Sequence, residues 1–150
     1  LNYPIDFGKE YNGKRIFGDH KTFRGFFFGI LGAIVIVLLQ KYLTRYPSFA
    51  ELTLIDFSKV NALLLGFLTG LGVLTGDAIK SFFKRRANIA PGKPWIPFDQ
   101  LDLIIGALVF TSFVYLPPLK VIIFAFIVGP FLHIGFNLLG YYLGIKKNKL

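Results

Sequence analysis

The sequence predicts an all-α fold, a polytopic integral membrane bundle forming one transmembrane domain over residues 1–150. Three observations carry that reading. The 150 residues are 54% hydrophobic, with 18 Phe and a mean hydropathy of +0.60, more apolar side chain than a soluble domain of this size can hide. The apolar residues gather into four long segments. The cations behind the net charge of +9 cluster between those segments in an alternating pattern.

The elements follow in chain order. Residues 1–24 are polar and lack a continuous apolar core, so they are not read as a signal peptide. The first span, about 23–43, carries "GFFFGILGAIVIVLL" without interruption. The second covers about 60–83, the third about 100–116 and the fourth about 121–145. A crossing needs about 20 residues, so the third is short and reaches that length only by starting near Asp99. Pro117 and Pro118 break the helix and set a tight turn before the fourth. Lys and Arg number five in residues 1–24, five from Lys80 to Lys93 and three in the final "KKNK". With four spans these stretches share one side, which the positive-inside rule makes cytoplasmic, together with the loop at about 84–99. That places a multi-pass protein in the cell membrane with its basic face inward. No nucleic acid partner is expected. Gly25/Gly29, Gly66/Gly70 and Gly72/Gly76 recur at four-residue spacing, a pattern that lets helices approach closely in lipid. The absence of Cys excludes disulfides, thiolate metal sites and cysteine nucleophiles.

The chemistry-bearing stretch is "TGDAIKSFFKRR", residues 75–86. On a helix Asp77, Lys80, Ser81, Lys84 and Arg85 form one polar stripe. Asp77 lies about 10 Å below Lys84 along the axis, beneath the headgroups. A charge at the bilayer centre costs about 2.5–3.5 kcal/mol, so such residues are normally there for a use. Lys84, Arg85 and Arg86 alone read as charges that fix topology. The depth of Asp77 and Lys80 is what that reading leaves over.

The loop "ANIAPGKPWIPFDQLD" follows and ends on Asp99 and Asp102. Capping explains Asp99 as an N-cap with Asp102 in the first turn. The other reading joins both to Asp77 as an oxygen-rich Mg²⁺ site, since that ion binds through one or two carboxylates plus substrate phosphates. Acids for a metal beside bases for phosphate suit chemistry on a nucleoside triphosphate. Lys14, Arg15, Lys21 and Arg24 precede the first span on the same side, with Asp19 among them. They read as topogenic charge or as part of that site. Lys21-Thr22 is not a phosphate loop, because His20 stands where its glycine belongs. In the last span His133, Asn137 and Tyr141 share a face. A hydrogen bond between helices and a place in the site lining are the two readings.

Three stretches, "PIDFGKEYNGKRIFGDHKTFRG", "TGDAIKSFFKRRANIAPGKPWIPFDQLD" and "HIGFN", closely resemble the CDP-archaeol synthases of archaea, relatives of the CDP-diacylglycerol synthases. The wider signature runs roughly G-D-x-x-x-S-x-x-K-R, then Pro-Gly, then two aspartates. Gly76, Asp77, Ser81, Lys84, Arg85, Pro91, Gly92, Asp99 and Asp102 match it in order. The bacterial Lys-Asp pair and glycine-histidine run of that loop are absent here. Archaeal members carry one more helix before the "PID" stretch, which implies a fifth span ahead of Leu1.

The resemblance implies a cytidylyltransferase that joins CTP to an isoprenoid glyceryl phosphate, 2,3-bis-geranylgeranylglyceryl phosphate, and releases pyrophosphate. It implies Mg²⁺ or Mn²⁺ held by Asp77, Asp99 and Asp102, with Lys80, Lys84 and Arg85 as the other catalytic residues. Lys14, Arg15, Asp19, Lys21, Thr22, Arg24, Ser81, Arg86, Pro91, Gly92, Gln100, His133 and Asn137 are the expected substrate-binding set. The rival readings are a CDP-alcohol phosphotransferase, whose D-x-x-D-G-x-x-A-R pattern "DQLDLIIG" does not continue, and a non-enzymatic scaffold or channel binding anionic lipid.

Overall fold

The computed structural model describes residues 2–90 and 93–144. Its helices are α1 (Phe23–Leu43), the single turn α2 (Pro47–Ala50), α3 (Ala62–Arg86), α4 (Phe98–Thr111) and α5 (Leu119–Tyr142). Among the described residues α1, α3 and α5 are long and apolar enough to cross a membrane. The chain is an all-α, membrane-embedded bundle with at least three apolar spans.

Local chemistry sets the ends. Thr22 sits in extended backbone and its Oγ1 accepts from the Gly25 amide at 3.1 Å, so α1 begins one residue later. Asn61 does the same for α3, accepting from Leu64 N at 3.1 Å. α3 runs past the apolar stretch through Lys84, Arg85 and Arg86, where cations meet the negative end of the helix dipole. Asn88, at φ 57°, then turns the chain away.

The third apolar segment differs from its expected extent, because α4 starts at Phe98 and stops at Thr111 rather than near residue 116. Its 14 residues rise about 21 Å, against roughly 30 Å of hydrocarbon. The Thr111 carbonyl takes the amides of Val114 and Tyr115 at 3.0 and 2.8 Å, which bends the chain. The Tyr115 hydroxyl then donates to the Leu54 carbonyl at 3.2 Å and ties that exit to the segment before α3. Asp99 is not the N-cap of α4: Pro97 holds that position and Asp99 lies in the first turn.

α3 is the central helix, with α1 along one side and α4 along another, while α5 leans on α4. The α3–α4 seam is backbone against backbone. A Cβ built on Gly76 would stand 2.3 Å from the Asp102 carbonyl oxygen, and one on Gly72 2.3 Å from that of Gly106. On the other face Gly66 and Gly70 admit Ile34 and Ile30 of α1. Small residues thus serve two seams of one helix, as association in lipid requires. α5 turns Phe131 and Phe136 outward, 73% and 68% exposed, an arrangement suited to surrounding lipid rather than water.

Before α1 the polar segment folds back on itself. Strands β1 (Glu10–Tyr11) and β2 (Lys14–Arg15) pair antiparallel. Asn12 and Gly13 turn between them with φ of 52° and 69°, the left-handed pair a tight hairpin needs. Ile5 N bonds the Lys21 carbonyl at 2.8 Å and Phe23 N that of Tyr3 at 3.1 Å, closing the segment into a loop at the foot of α1.

Because the α3–α4 seam has no room for a methyl group, Gly76→Ala is expected to destabilise the bundle by about 1–3 kcal/mol. Gly32→Ala, where a Cβ meets nothing within 4 Å, serves as the control and leaves thermal unfolding in detergent unchanged or slightly raised. Equal melting of the two variants would count against the close seam.

Candidate active site

The glycine seam brings the polar stripe of α3 against the first turns of α4. Lys80 Nζ lies 3.0 Å from Asp77 Oδ1, 3.0 Å from Asp99 Oδ1 and 2.9 Å from Asp102 Oδ2. Lys84 Nζ reaches both Asp99 oxygens, at 3.1 and 3.0 Å. Asp99 also accepts from the backbone amide of Trp95. Lys21, from the amino-terminal loop, pairs with the second oxygen of Asp77. Three carboxylates and three ammonium groups from three separate parts of the chain therefore form one neutral cluster, with Lys84 and Asp102 buried. Asp102 Oδ1 is buried with no hydrogen-bond partner among the described residues.

Other residues of the expected set have nearer partners. Ser81 donates its hydroxyl to the Asp77 carbonyl one turn back, at 2.8 Å, and the Thr22 hydroxyl caps α1. Arg86 donates to the carbonyls of Arg15 and Ile16 at 2.9 and 3.2 Å and to that of Tyr11 at 3.3 Å. Its guanidinium lies 3.8 Å above the Phe82 ring. Arg86 thus clamps the hairpin to the end of α3. Lys14 reinforces it through the Arg86 carbonyl at 3.2 Å and the Asn88 side chain. Arg24 reaches Asn2 at 3.5 Å. His133 and Asn137 meet each other on α5, Nδ1 to Nδ2 3.4 Å. Gln100 is buried, its Oε1 without a hydrogen-bond partner among the described residues. Pro91 and Gly92 lie outside the described residues.

A pocket of about 280 Å³ opens between the amino-terminal loop and the end of α3, lined by Lys14, Arg15, Asp19, His20, Arg85 and Asn88. Arg85 keeps a buried Nε with no hydrogen-bond partner among the described residues. His20 and Arg85 are the chain neighbours of Lys21 and Lys84, so the pocket adjoins the ion cluster.

Asp6 is the residue that sequence reasoning missed. Its side chain is fully buried and pairs with Arg15 Nη2 at 2.8 Å. It also accepts from the amides of Gly8 at 3.0 Å, Phe17 at 3.0 Å and Gly18 at 3.1 Å. Arg15 in turn holds Asp19. The signal was the Asp-Phe-Gly run, in which an aspartate bonds the amide two residues on.

The family model described as CarS-like, CDP-archaeol synthase, matches residues 2–149. The chain belongs to the CDP-archaeol synthase family. The CDP-archaeol synthase of Methanococcoides burtonii is 40% identical over 154 residues, spanning 96% of this chain and 88% of its own. That of Pyrococcus furiosus is 41% identical over 139 residues, spanning 92% and 78%. A solved structure, "Structural insight into an intramembrane enzyme for archaeal membrane lipids biosynthesis", superposes with a TM-score of 0.67 at 27% identity, covering 91% of this chain and 80% of that one. As a CDP-archaeol synthase the chain is a CTP-dependent lipid-phosphate cytidylyltransferase, a transferase of archaeal membrane lipid synthesis. The non-enzymatic scaffold reading falls with that assignment.

Burial works against the Asp6 charge, but Arg15 and three backbone amides more than offset it and hold the carboxyl at about 2, below its ordinary 3.8. A carboxylate with a lowered folded value adds stability that is complete above its unfolded value and lost as pH falls through the folded one. Asp6 therefore contributes fully above about pH 4 and loses that contribution between about pH 4 and 2. Asp6→Asn is expected to cost about 1.5–3 kcal/mol at pH 7 and to flatten this part of the stability–pH curve, measured by thermal unfolding. A variant that melts like the wild type at both ends of the range would show that Asp6 does not hold the loop.

Proposed function

We propose that the chain transfers a cytidylyl group from CTP to 2,3-bis-geranylgeranylglyceryl phosphate, giving CDP-archaeol and pyrophosphate at the cytoplasmic face of the membrane. The supporting observation is the meeting of Asp77, Asp99 and Asp102 on Lys80 within 3.0 Å, with Lys21 and Lys84 beside them. The cytoplasmic orientation rests on the basic stretches at 1–24 and 80–93. In this reading α4 and the residues after it, as far as Leu116, make a fourth crossing.

A lipid phosphate oxygen attacks the α-phosphorus of CTP in line. The bond from that phosphorus to the bridging oxygen breaks, and pyrophosphate leaves with the electron pair. The nucleophile is already an anion, so neither a general base nor a covalent enzyme intermediate is needed. Asp77, Asp99 and Asp102 would hold Mg²⁺ or Mn²⁺. Among the described residues they do not form a ready metal cage, because Lys80 lies between them, but the orphan oxygen of Asp102 and the all-oxygen donor set suit a hard cation. When bound, that ion neutralises charge on the triphosphate and the departing pyrophosphate. Lys21, Lys84 and Arg85 bind phosphate oxygens. The pocket beside them, with Lys14, Arg15 and Asp19, receives the nucleotide, while the apolar outer faces of the helices take the isoprenoid tails.

Purified Asp99→Asn and Lys84→Ala are each expected to lose about 10²-fold or more of CTP-dependent product formation with added Mg²⁺. Excess EDTA is expected to silence the wild type, and Mg²⁺ to restore it. Near-normal turnover in both folded variants would refute the site, and activity in EDTA would refute the metal.

A further inference from the structure

The Lys80 ammonium occupies the point on which three carboxylates from two helices converge, and we infer that it is a resident counter-cation which a divalent ion must displace. The inference rests on the reading that Asp77, Asp99 and Asp102 are the metal-holding acids. Its carrying observation is that one nitrogen lies 3.0, 3.0 and 2.9 Å from an oxygen of each. A lysine ammonium is a compact point charge, and here it stands at ion-pair distance from all three carboxylates at once. Lys84 and Lys21 are placed differently: Lys84 grips Asp99, and Lys21 pairs with Asp77. Lys80 alone of the three lysines is central.

Charge balance makes the displacement consequential. With Lys21, Lys80 and Lys84 facing three carboxylates the cluster is neutral. A divalent ion entering alone would leave two uncompensated positive charges in a largely buried site, and charge buried without a partner is costly. A triphosphate brings the missing anions. Lys80, released from the acids, then has phosphate oxygens to pair with beside its own helix. Divalent ion and nucleotide thereby favour each other's entry, a coupling that is reciprocal by linkage. Once pyrophosphate and its charge depart, the ion loses its partner and Lys80 returns to the acids, which resets the site.

The test is Mn²⁺ binding to the full chain in detergent without nucleotide, read from the electron paramagnetic resonance of free Mn²⁺. Wild type is expected to bind weakly and Lys80→Ala at least about ten-fold more tightly. Lys84→Ala removes the same unit of charge without vacating the centre, and its gain is expected to be much smaller. Equal gains in the two variants, or none in Lys80→Ala, would overturn the inference. Since Lys80→Ala leaves the acids uncompensated, its thermal unfolding is measured with and without Mn²⁺. The ion is expected to raise its midpoint more than that of the wild type, and a variant that stays unfolded with Mn²⁺ present also overturns the inference. A third arm adds an α,β-methylene analogue of CTP to the wild type. If Mn²⁺ is then held on the protein while Lys80→Ala shows no gain alone, the metal reading stands and displacement by Lys80 falls. If the wild type with analogue holds no Mn²⁺ beyond what the analogue binds in solution, the metal reading itself falls.

Discussion

Three carboxylates can share a largely buried corner of a membrane protein only if cations stand among them, and this constraint organises the molecule. Coulomb energies grow as the surroundings lose water, so Asp77, Asp99 and Asp102 would repel one another strongly without Lys80 at their centre. The glycine seam makes the cluster possible. Gly76 lies against the carbonyl of Asp102, and the neighbouring Asp77 is thereby brought to the same ammonium as Asp102. Close backbone approach and ion pairing occur at the same level of the α3–α4 contact, so each supports the other. A larger residue at the seam would part the helices and pull the acids from the lysine together.

The loop before α1 supplies the third wall, and it is built on a separate ionic centre. Asp6 gathers Arg15 and three amides into a compact turn, and Arg86 fastens that turn to α3 through backbone carbonyls. Lys21 is thus delivered to Asp77 by a scaffold rather than by a free tail. The three cations closing α3 divide the work: Lys84 faces Asp99, Arg85 lines the pocket and Arg86 holds the loop. They are consecutive, so they point about 100° apart around the helix, which is how one basic run serves three surroundings.

Legibility in the sequence followed the range of the forces involved. The apolar run of α1 and the stripe from Asp77 to Arg85 are set by helical periodicity, and both could be read directly. The gathering of Asp77, Asp99 and Asp102 followed from the return of the chain across one loop. The end of α4 could not be read, because the local turn on the Thr111 carbonyl is tied by the Tyr115 hydroxyl to Leu54, far away in the chain. Composition marks only the later Pro117. Arg86 and Arg85 are indistinguishable as letters, and only the fold decides which meets carbonyls and which meets a pocket. Ser81 matched the signature, yet its hydroxyl is directed back to its own helix, a local choice that no spacing encodes. The hairpin had its Asn12-Gly13 signal, but strands of two residues are too short to show alternation.

The reaction joins two phosphate-bearing molecules that repel each other, and the arrangement of charge answers that difficulty in two parts. The pocket carries Lys14, Arg15 and Arg85 against a single acid, Asp19, a balance that suits the anion proposed for it. The adjoining acid–lysine cluster is neutral and draws neither anion nor cation strongly. On the inference drawn above it offers exchange: Lys80, held by three carboxylates, passes to a phosphate when a divalent ion takes its place. A site with fixed excess positive charge would hold pyrophosphate after transfer as firmly as CTP before it. A neutral cluster whose central lysine is exchanged, as inferred above, would gain affinity only while nucleotide and divalent ion are both present, so the charge that favours transfer would leave with the product. The outer faces of α1 and α5 carry exposed apolar side chains such as Phe27 and Phe131, which suit lipid and call for no such exchange.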